Sequence, residues 1–415
     1  MARLPTAVRM DALQQASLTL LRMARPSPET AGQSYSEDAL HRYGVLTPLF
    51  WHGMRLGAFF KLLARNQFRC SPREALTAVT ITPVAAFNSA WSAVQAATLN
   101  RRIERLELRE PPLFVLGHWR SGTTLLHELL IRDPEHTYPT TYECFAPYHF
   151  LLTESWITPL TKWLLPTKRP MDNVAAGWDR PQEDEFALCS LGVPSPYLCW
   201  AFPDHGPVYP EYLTLENLSN QQRAEWKQYL EFFVKSVAYR RNRRIVLKSP
   251  PHTARVRTLL EIYPDARFVH IVRDPLTLYP STVRLWKSLC DVQSLQWPRA
   301  EYDWLEEQVL DNLVRMYAAF ERDRCLIPPG RFAELRYEDL VRDPQGQLRT
   351  VYEKLDLGDF SRVEPTLHEF KRENHTYRTN RYQLPPEIEQ KVRERWALYF
   401  ERYGYETSGA VASST

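Results

Sequence analysis

The segment LFVLGHWRSGTT, residues 113–124, decides the fold of this chain. Its first four residues are apolar and predict a short buried strand, which ends at Gly117 because glycine permits a sharp turn. Four leucines then recur at helical spacing over residues 125–130, so a helix is expected to begin where the segment ends. A loop between a strand and a helix N-terminus directs backbone N–H groups and the positive end of the helix dipole to one place. The segment therefore predicts an anion-binding loop.

This loop differs at one position from the GxxxxGK[ST] pattern of loops that bind nucleoside triphosphates. Gly117 and Gly122 have the required spacing, but Thr123 stands where that pattern has lysine. The basic residue of the loop is instead Arg120, whose planar guanidinium can hold an oxyanion through two N–H groups. The exchange favours an anion other than the β- and γ-phosphates of ATP.

A second segment, RIVLKSPPHTARVRTLLEIYPDARFVHIVRDPLTLYPS, covers residues 244–281. It contains two strand-like runs, residues 245–247 and 268–272, separated by a helical stretch. Lys248 follows the first run, Arg273 follows the second, and Ser281 lies eight residues after Arg273. Strands that alternate with helices predict a parallel sheet, and its carboxyl edge is where α/β proteins bind ligands.

The two segments resemble the motifs of sulfotransferases that use 3′-phosphoadenosine 5′-phosphosulfate (PAPS). The family's phosphosulfate loop is similar to the run Arg120, Ser121, Gly122, Thr123, Thr124 and Leu125. Its 3′-phosphate motif, an arginine at a strand end and a serine eight residues on, is matched by Arg273 and Ser281, and its strand-end lysine by Lys248. The resemblance implies that residues 120–124, Arg273 and Ser281 bind PAPS, that PAP is the product, and that no metal is required.

Three more PAPS-binding residues are implied by the resemblance alone. Tyr337 follows a predicted strand in the run RYEDL, and in relatives that tyrosine approaches the adenine. Arg378 and Asn380 lie in an aromatic and basic stretch where family members place a loop over the 3′-phosphate. The chain lacks the Arg-Lys-Gly triplet of the cytosolic enzymes there, so it departs from that pattern.

In-line sulfuryl transfer needs cations at the leaving oxygen and a base for the acceptor proton. Lys248 and Arg120 are the expected cations. His252 is the preferred base, because it follows Lys248 by four residues in a KSPxH arrangement found in other branches of the family, and imidazole accepts protons near neutral pH. Glu143 is the second choice, although a capping or exposed glutamate is the more common situation. The run Glu183, Asp184 and Glu185 is the third, and it also fits the usual acidic start of a helix.

The acceptor site is predicted in the irregular, proline-rich region of residues 172–210. Long loops of this kind often border a pocket, and this one carries Trp178, Tyr197, Trp200, Phe202 and Tyr209. The prediction fails if these aromatic residues lie on the face opposite Arg120. An aromatic lining suits a small-molecule, carbohydrate or lipid acceptor with a hydroxyl or an amine equally well.

The order of predicted elements implies an α/β fold with three layers, in which helices cover both faces of a central parallel sheet. We expect an N-terminal helical extension over residues 1–110, a sulfotransferase domain over 111–405 and a disordered tail over 406–415. The net charge of +3 is too small to indicate nucleic-acid binding. Six scattered cysteines without CxxC spacing indicate reduced thiols rather than a disulfide framework or a metal site.

The first residues show no secretory signal, so a cytoplasmic location is expected. Residues 46–100 contain two apolar stretches, and residues 75–100 carry no charge. Their polar residues and Pro83 argue against a transmembrane span. Packing on the domain or on a second subunit of a homo-oligomer, and peripheral contact with a membrane, are the two open interpretations.

Two other functions share these motifs. A P-loop nucleotide kinase or hydrolase would need a magnesium ligand, for which Asp274 is the one tempting carboxylate. A non-catalytic nucleotide-binding protein could retain the fold, but the complete set of Arg120, Lys248, Arg273 and Ser281 argues against it.

Overall fold

Five parallel strands form the centre of the structure, which is a computed structural model describing residues 47–166, 176–299, 301–367 and 383–406. The strands are β1 (Leu113–Leu116), β2 (His136–Thr137), β3 (Arg244–Lys248), β4 (Arg267–Val272) and β5 (Phe332–Arg336). Their order across the sheet is β2-β3-β1-β4-β5, and every neighbouring pair is parallel. The predicted strand ends at Leu116 and Lys248 are confirmed, whereas the two-residue strand β2 was not predicted from the sequence.

Helices account for most of the remaining structure. Before β3 they are α1 (Leu56–Arg65), α2 (Pro72–Thr98), α3 (Asn100–Glu104), α4 (Thr123–Leu130), α5 (Thr141–Phe145), α6 (Phe150–Thr161), α7 (Asp184–Leu191) and α8 (Asn220–Arg240). After β3 they are α9 (Val256–Ile262), α10 (Pro275–Gln293), α11 (Leu305–Asp323), α12 (Tyr337–Arg342), α13 (Pro344–Leu355), α14 (Pro386–Arg395) and α15 (Ala397–Tyr403). Short 3₁₀ turns join several of them, including one at residues 250–254.

Both faces of the sheet are buried, which confirms the predicted three layers. Side chains alternate along a strand, so Phe114 and Leu116 of β1 face one hydrophobic core while Leu113 and Val115 face another. The first core includes Trp226 of α8, and the second is closed by helices α4 and α13. Strands buried on both faces read as continuous apolar runs, which is why their sequences were recognisable.

The first helices of the described chain precede β1. Helix α2 continues through Pro83, which removes one N–H from the helix without ending it. In the described part of the chain, no helix combines the length and apolar character needed to cross a membrane. The predicted domain limits at residues 110 and 405 stay predictions, and residues 1–46 and 407–415 lie outside the described residues.

Candidate active site

The loop between β1 and α4 has the backbone conformation of an anion cradle. Gly117 and Gly122 have φ values of +150° and +102°, a region that disfavours side chains. A Cβ atom on Gly122 would also collide with the Tyr337 ring. Arg120 has a φ of +68°, a costly conformation for a residue with a side chain. Helix α4 starts at Thr123, so its first N–H groups lie at the end of this loop.

Two arginines from different strand ends meet at this loop. Arg273, directly after β4, donates from Nη1 to the Arg120 carbonyl at 2.9 Å. Arg120 donates from Nε to the Ser281 hydroxyl on α10, also at 2.9 Å. The Arg273 guanidinium lies over the Tyr337 ring, 4.2 Å from its centroid. The structure therefore brings together Arg120, Arg273, Ser281 and Tyr337, which sequence analysis had drawn from three separate segments.

Hydrogen bonds from later parts of the chain hold the backbone of Arg273 and of its neighbour Asp274. The buried hydroxyl of Tyr399, on α15, accepts from the Arg273 N–H and donates to the Arg273 carbonyl, both at 3.2 Å. Glu338 accepts from the Asp274 N–H at 3.0 Å and from the Tyr405 hydroxyl at 3.1 Å. Asp274 in turn accepts from two N–H groups in the first turn of α10, so it is the N-cap of that helix.

A chain of hydrogen bonds connects the loop to Lys248, the last residue of β3. Lys248 is buried, and its Nζ donates to Glu183 Oε1 at 2.7 Å. The other oxygen of Glu183 accepts from the Tyr197 hydroxyl at 2.7 Å, and that hydroxyl accepts from Trp119 Nε1 at 2.9 Å. Burial, followed by the charge of Glu183, holds the pKa of Tyr197 well above its usual value, so Tyr197 remains a donor.

Asp184 pairs with His252, and both side chains are fully buried. The two groups approach to 2.6 Å at His252 Nε2, and Ser249 donates to the other Asp184 oxygen at 2.9 Å. Burial raises the pKa of Asp184, but His252 and these hydrogen bonds outweigh burial and hold it below its usual value. The His252 ring packs edge-on against Phe114 and Trp226. Its Nδ1 has no hydrogen-bond partner among the described residues.

Glu185 completes the pattern with a third partner. It accepts from Arg255 Nη1 at 2.5 Å and from the Ser195 hydroxyl at 2.6 Å, and Arg255 is also fully buried. Three consecutive acidic residues at the start of α7 thus face Lys248, His252 and Arg255 in the same order along the chain. Sequence analysis missed Arg255 and Tyr197 as members of this network. The sequence contains one signal for this network. Three consecutive acids, residues 183–185, are matched by three basic residues that follow one another at intervals of four and three residues, at positions 248, 252 and 255.

Glu143 belongs to a different part of the structure. With Thr140 it forms the capping box at the start of α5, accepting from the Thr140 N–H at 2.9 Å. Its other oxygen lies 3.5 Å from Arg241 and 3.6 Å from Arg240. Both arginines precede β3 in the chain, whereas Lys248 is the last residue of that strand. Burial raises the pKa of Glu143 to about 7.

The aromatic residues predicted for the acceptor site are mostly core residues. Trp178, Tyr197, Trp200 and Phe202 are buried, and Tyr209 is half-buried. Trp200 packs against Trp286, and so does Trp119, which precedes Arg120 in the chain. Contact of this group with an acceptor stays a prediction. Arg378 and Asn380 lie outside the described residues. Within the described residues no group of three or more potential metal ligands occurs.

Comparison with known proteins connects this geometry to one activity. Residues 111–362 match the sequence model described as "Sulfotransferase family". The chain is 43% identical over 371 residues to the omega-hydroxy-beta-dihydromenaquinone-9 sulfotransferase Stf3 of Mycobacterium bovis and of Mycobacterium tuberculosis, covering 89% of this chain and 95% of that protein. It is 24% identical over 282 residues to human carbohydrate sulfotransferase 6, covering 62% and 66% of the two chains. The crystal structure of sulfotransferase STF9 from Mycobacterium avium matches with a TM-score of 0.62 at 20% identity, covering 81% and 87%, which shows the shared fold.

Proposed function

The chain belongs to the sulfotransferase family, and we propose that it transfers the sulfuryl group of PAPS to a hydroxyl on a long apolar lipid. The observation that carries the proposal is the meeting of Arg120, Arg273 and Ser281 in a loop that hydrogen bonds connect to the Lys248–Glu183 pair. The lipid acceptor is suggested by the mycobacterial relatives, whose name specifies a hydroxylated dihydromenaquinone. A carbohydrate acceptor is the second candidate, suggested by the human relative.

The residues of the loop fit the anionic donor. The φ of Gly122 and the ring against it leave no room for a side chain, as a close backbone approach to an anion requires. Loop residues 120–124 would hold the phosphosulfate end, and Arg273 with Ser281 would hold the 3′-phosphate, with Tyr337 beside them. Lys248 would face the negative charge that builds on the leaving oxygen. We propose that these cations replace any need for a metal.

Glu183, rather than His252 or Glu143, is the base that we propose. Its carboxylate is part-exposed and touches Lys248, whereas the His252 ring is fully buried and pairs with Asp184. Glu143 is occupied by a helix cap and two arginines. Tyr197 and Lys248 each hold one oxygen of Glu183, which fixes the orientation of the carboxylate. His252 would then position Asp184 and the turn after β3.

When bound, PAPS supplies the sulfuryl group, which leaves its bridging oxygen and joins the acceptor oxygen. Glu183 takes the proton of the acceptor hydroxyl, and the Lys248 ammonium balances the charge left on the nucleotide. The products are a sulfate ester and PAP. General-base assistance of this kind contributes about 10² to 10⁴ in rate.

The test compares Glu183→Gln with His252→Gln in purified enzyme. Glu183→Gln should lower kcat by roughly 10² to 10⁴ while PAP affinity, measured by calorimetry, changes little. His252→Gln should lower the unfolding temperature and retain measurable turnover. The reverse pattern, with Glu183→Gln active and a folded His252→Gln dead, would return the base assignment to His252. Mass spectrometry of hydroxylated quinone lipids and of oligosaccharides after incubation with PAPS separates the two acceptor classes.

A further inference from the structure

The solvent-exposed face of helix α2 carries no charged residue from residue 75 to its last residue, Thr98. Leu76 is 69% exposed, Val79 67% and Val94 45%. Alanines at positions 86, 90, 93, 96 and 97 of the same helix are exposed as well. An exposed helix of a water-soluble domain normally presents charged residues to solvent, so this face is the reverse of the usual pattern.

Most hydroxyl groups on this helix are hydrogen-bonded within it. Thr80 donates its hydroxyl to the Thr77 carbonyl at 2.7 Å, and Thr98 donates to the Val94 carbonyl at 2.8 Å. Thr82 and Ser89 bond in the same way to carbonyls four residues earlier. The hydroxyls therefore need few hydrogen bonds from water, so the free energy of moving this face into a less polar medium is small.

Exposed tryptophans extend the apolar face onto the neighbouring helix α6. Trp156 packs 6.1 Å from Phe87 and 5.9 Å from Trp91, ring to ring, and is 39% exposed. Trp163, in the turn after α6, is 71% exposed, and Leu160 is exposed as well. Both indole N–H groups donate to nearby carbonyls of the same segment, at Leu152 and Leu160. Amphipathic aromatic rings of this kind are enriched where membrane meets water.

Basic residues flank α2 in the chain. Residues 56–105 contain seven arginines and lysines against two acidic residues, although the whole chain has a net charge of only +3. Arg69 and Arg73 are exposed at the start of α2, Lys61 is exposed on α1, and Arg101 and Arg102 are exposed just past the end of α2. Each basic residue near an anionic bilayer contributes about 1 kcal/mol to binding.

We propose that the exposed face of α2, together with Trp156, Trp163 and Leu160, docks onto the surface of a bilayer with anionic headgroups. The apolar residues enter the interface, and the basic residues at both ends of the helix contact lipid phosphates. The charge distribution disfavours a second copy of the chain as the occupant. A two-fold contact through this face would bring like charges together at both ends. The inference does not depend on the acceptor, but it places the enzyme where a lipid acceptor dissolves.

The experiment measures sedimentation of the full chain with vesicles of phosphatidylcholine and phosphatidylglycerol, and with vesicles of phosphatidylcholine alone. The wild-type chain should bind the anionic vesicles more tightly, and salt should weaken that binding. The double variant Val79→Asp/Val94→Asp should bind the anionic vesicles roughly tenfold or more weakly, because each change places a charge in the interface.

The matched control is Val314→Asp/Val341→Asp, which adds the same charge at two exposed helix positions elsewhere, at 40% and 48% exposure. It should bind like the wild type. Equal binding by the two double variants would overturn the proposal. So would light scattering that shows a dimer in the wild type and a monomer only in Val79→Asp/Val94→Asp, because the face would then join two copies. Vesicle binding needs no PAPS, so its loss is distinguishable from a failure of the proposed activity.

Discussion

Gly122 is a loop residue with little freedom to change. Its φ of +102° and the Tyr337 ring beside it both exclude a side chain. Gly122→Ala should therefore displace Tyr337 and the loop backbone, and we expect PAP affinity to fall by roughly tenfold or more together with a lower unfolding temperature. Calorimetry and thermal denaturation measure the two effects.

The control for that variant is Gly57→Ala in helix α1, where an added Cβ would meet no atom within 4 Å. Alanine favours a helix over glycine by about 1 kcal/mol, so Gly57→Ala should be neutral or stabilising. If Gly122→Ala binds PAP like the wild type, the loop does not require close backbone contact with the donor.

Glu143 should make the free energy of unfolding fall as pH rises toward 7. Its pKa of about 7 in the folded state lies above the ordinary value of 4.5 because the carboxyl is buried. The folded state then binds more protons than the unfolded state between these values, so this group lowers the free energy of unfolding as pH rises from about 4.5 to 7. The loss is on the order of 3 kcal/mol.

Glu143→Gln removes this titration and keeps an oxygen that can accept from the Thr140 N–H. Urea unfolding at pH 5 and pH 8 should show a smaller decline for the variant than for the wild type. A decline of equal size in both proteins would mean that Glu143 does not titrate in this range.

At the scale of elements, the strand ends could be predicted and the pairing of α7 with β3 could not. The apolar runs before Lys248 and before Arg273 can be recognised in the sequence, because both faces of these strands are buried. The contact between Glu183 and Lys248 joins residues 65 apart and depends on how the intervening chain folds. Hence the family motifs were found from the sequence, while the network around Glu183 required coordinates.

His252 is the residue for which the base that we propose departs from the one that the motif suggested. Its spacing from Lys248 suggested a base, since both residues follow the same strand. In the structure the ring packs in the core against Phe114 and Trp226 and pairs with Asp184, whereas Lys248 pairs with Glu183. The spacing of His252 from Lys248 in the sequence does not determine which neighbours the His252 side chain contacts.

Tyr399, on helix α15, should affect both the stability of the fold and the affinity for PAP. Tyr399→Phe removes the hydroxyl that holds the Arg273 backbone and should destabilise the fold by about 1–3 kcal/mol. If Tyr399 positions Arg273, the variant should also raise the Kd for PAP while KM for the acceptor stays constant. Tyr403→Phe is the comparison, since its hydroxyl bonds Glu321 instead. Equal PAP affinity in both variants would reduce Tyr399 to a packing residue.

For the whole molecule, the sheet order β2-β3-β1-β4-β5 explains why the motifs converge. The strands β1, β3 and β4 are adjacent and parallel, so their carboxyl ends, and the residues after them, lie at one edge. Fold class and sheet edge followed from the sequence because alternating strands and helices admit few topologies. The exposed face of α2 was left between two interpretations, because the sequence alone does not tell which side of a helix is buried.

Donor binding should stabilise the whole domain without a metal. PAP at about 100 times its Kd adds about 2.7 kcal/mol to the free energy of unfolding, and this gain should be the same with and without EDTA. Differential scanning fluorimetry measures the shift in unfolding temperature. A shift that vanishes in EDTA and returns with magnesium would contradict the proposal that the cations of the chain suffice.

The bond between Arg273 and Tyr399 spans 126 residues and has a consequence for synthesis on the ribosome. A nascent chain that already contains β1, β3 and β4 still lacks the hydroxyl that holds Arg273. The proposed nucleotide site is therefore completed only after translation has passed residue 399. Prematurely terminated products that stop before Tyr399 should be unable to sequester the nucleotide.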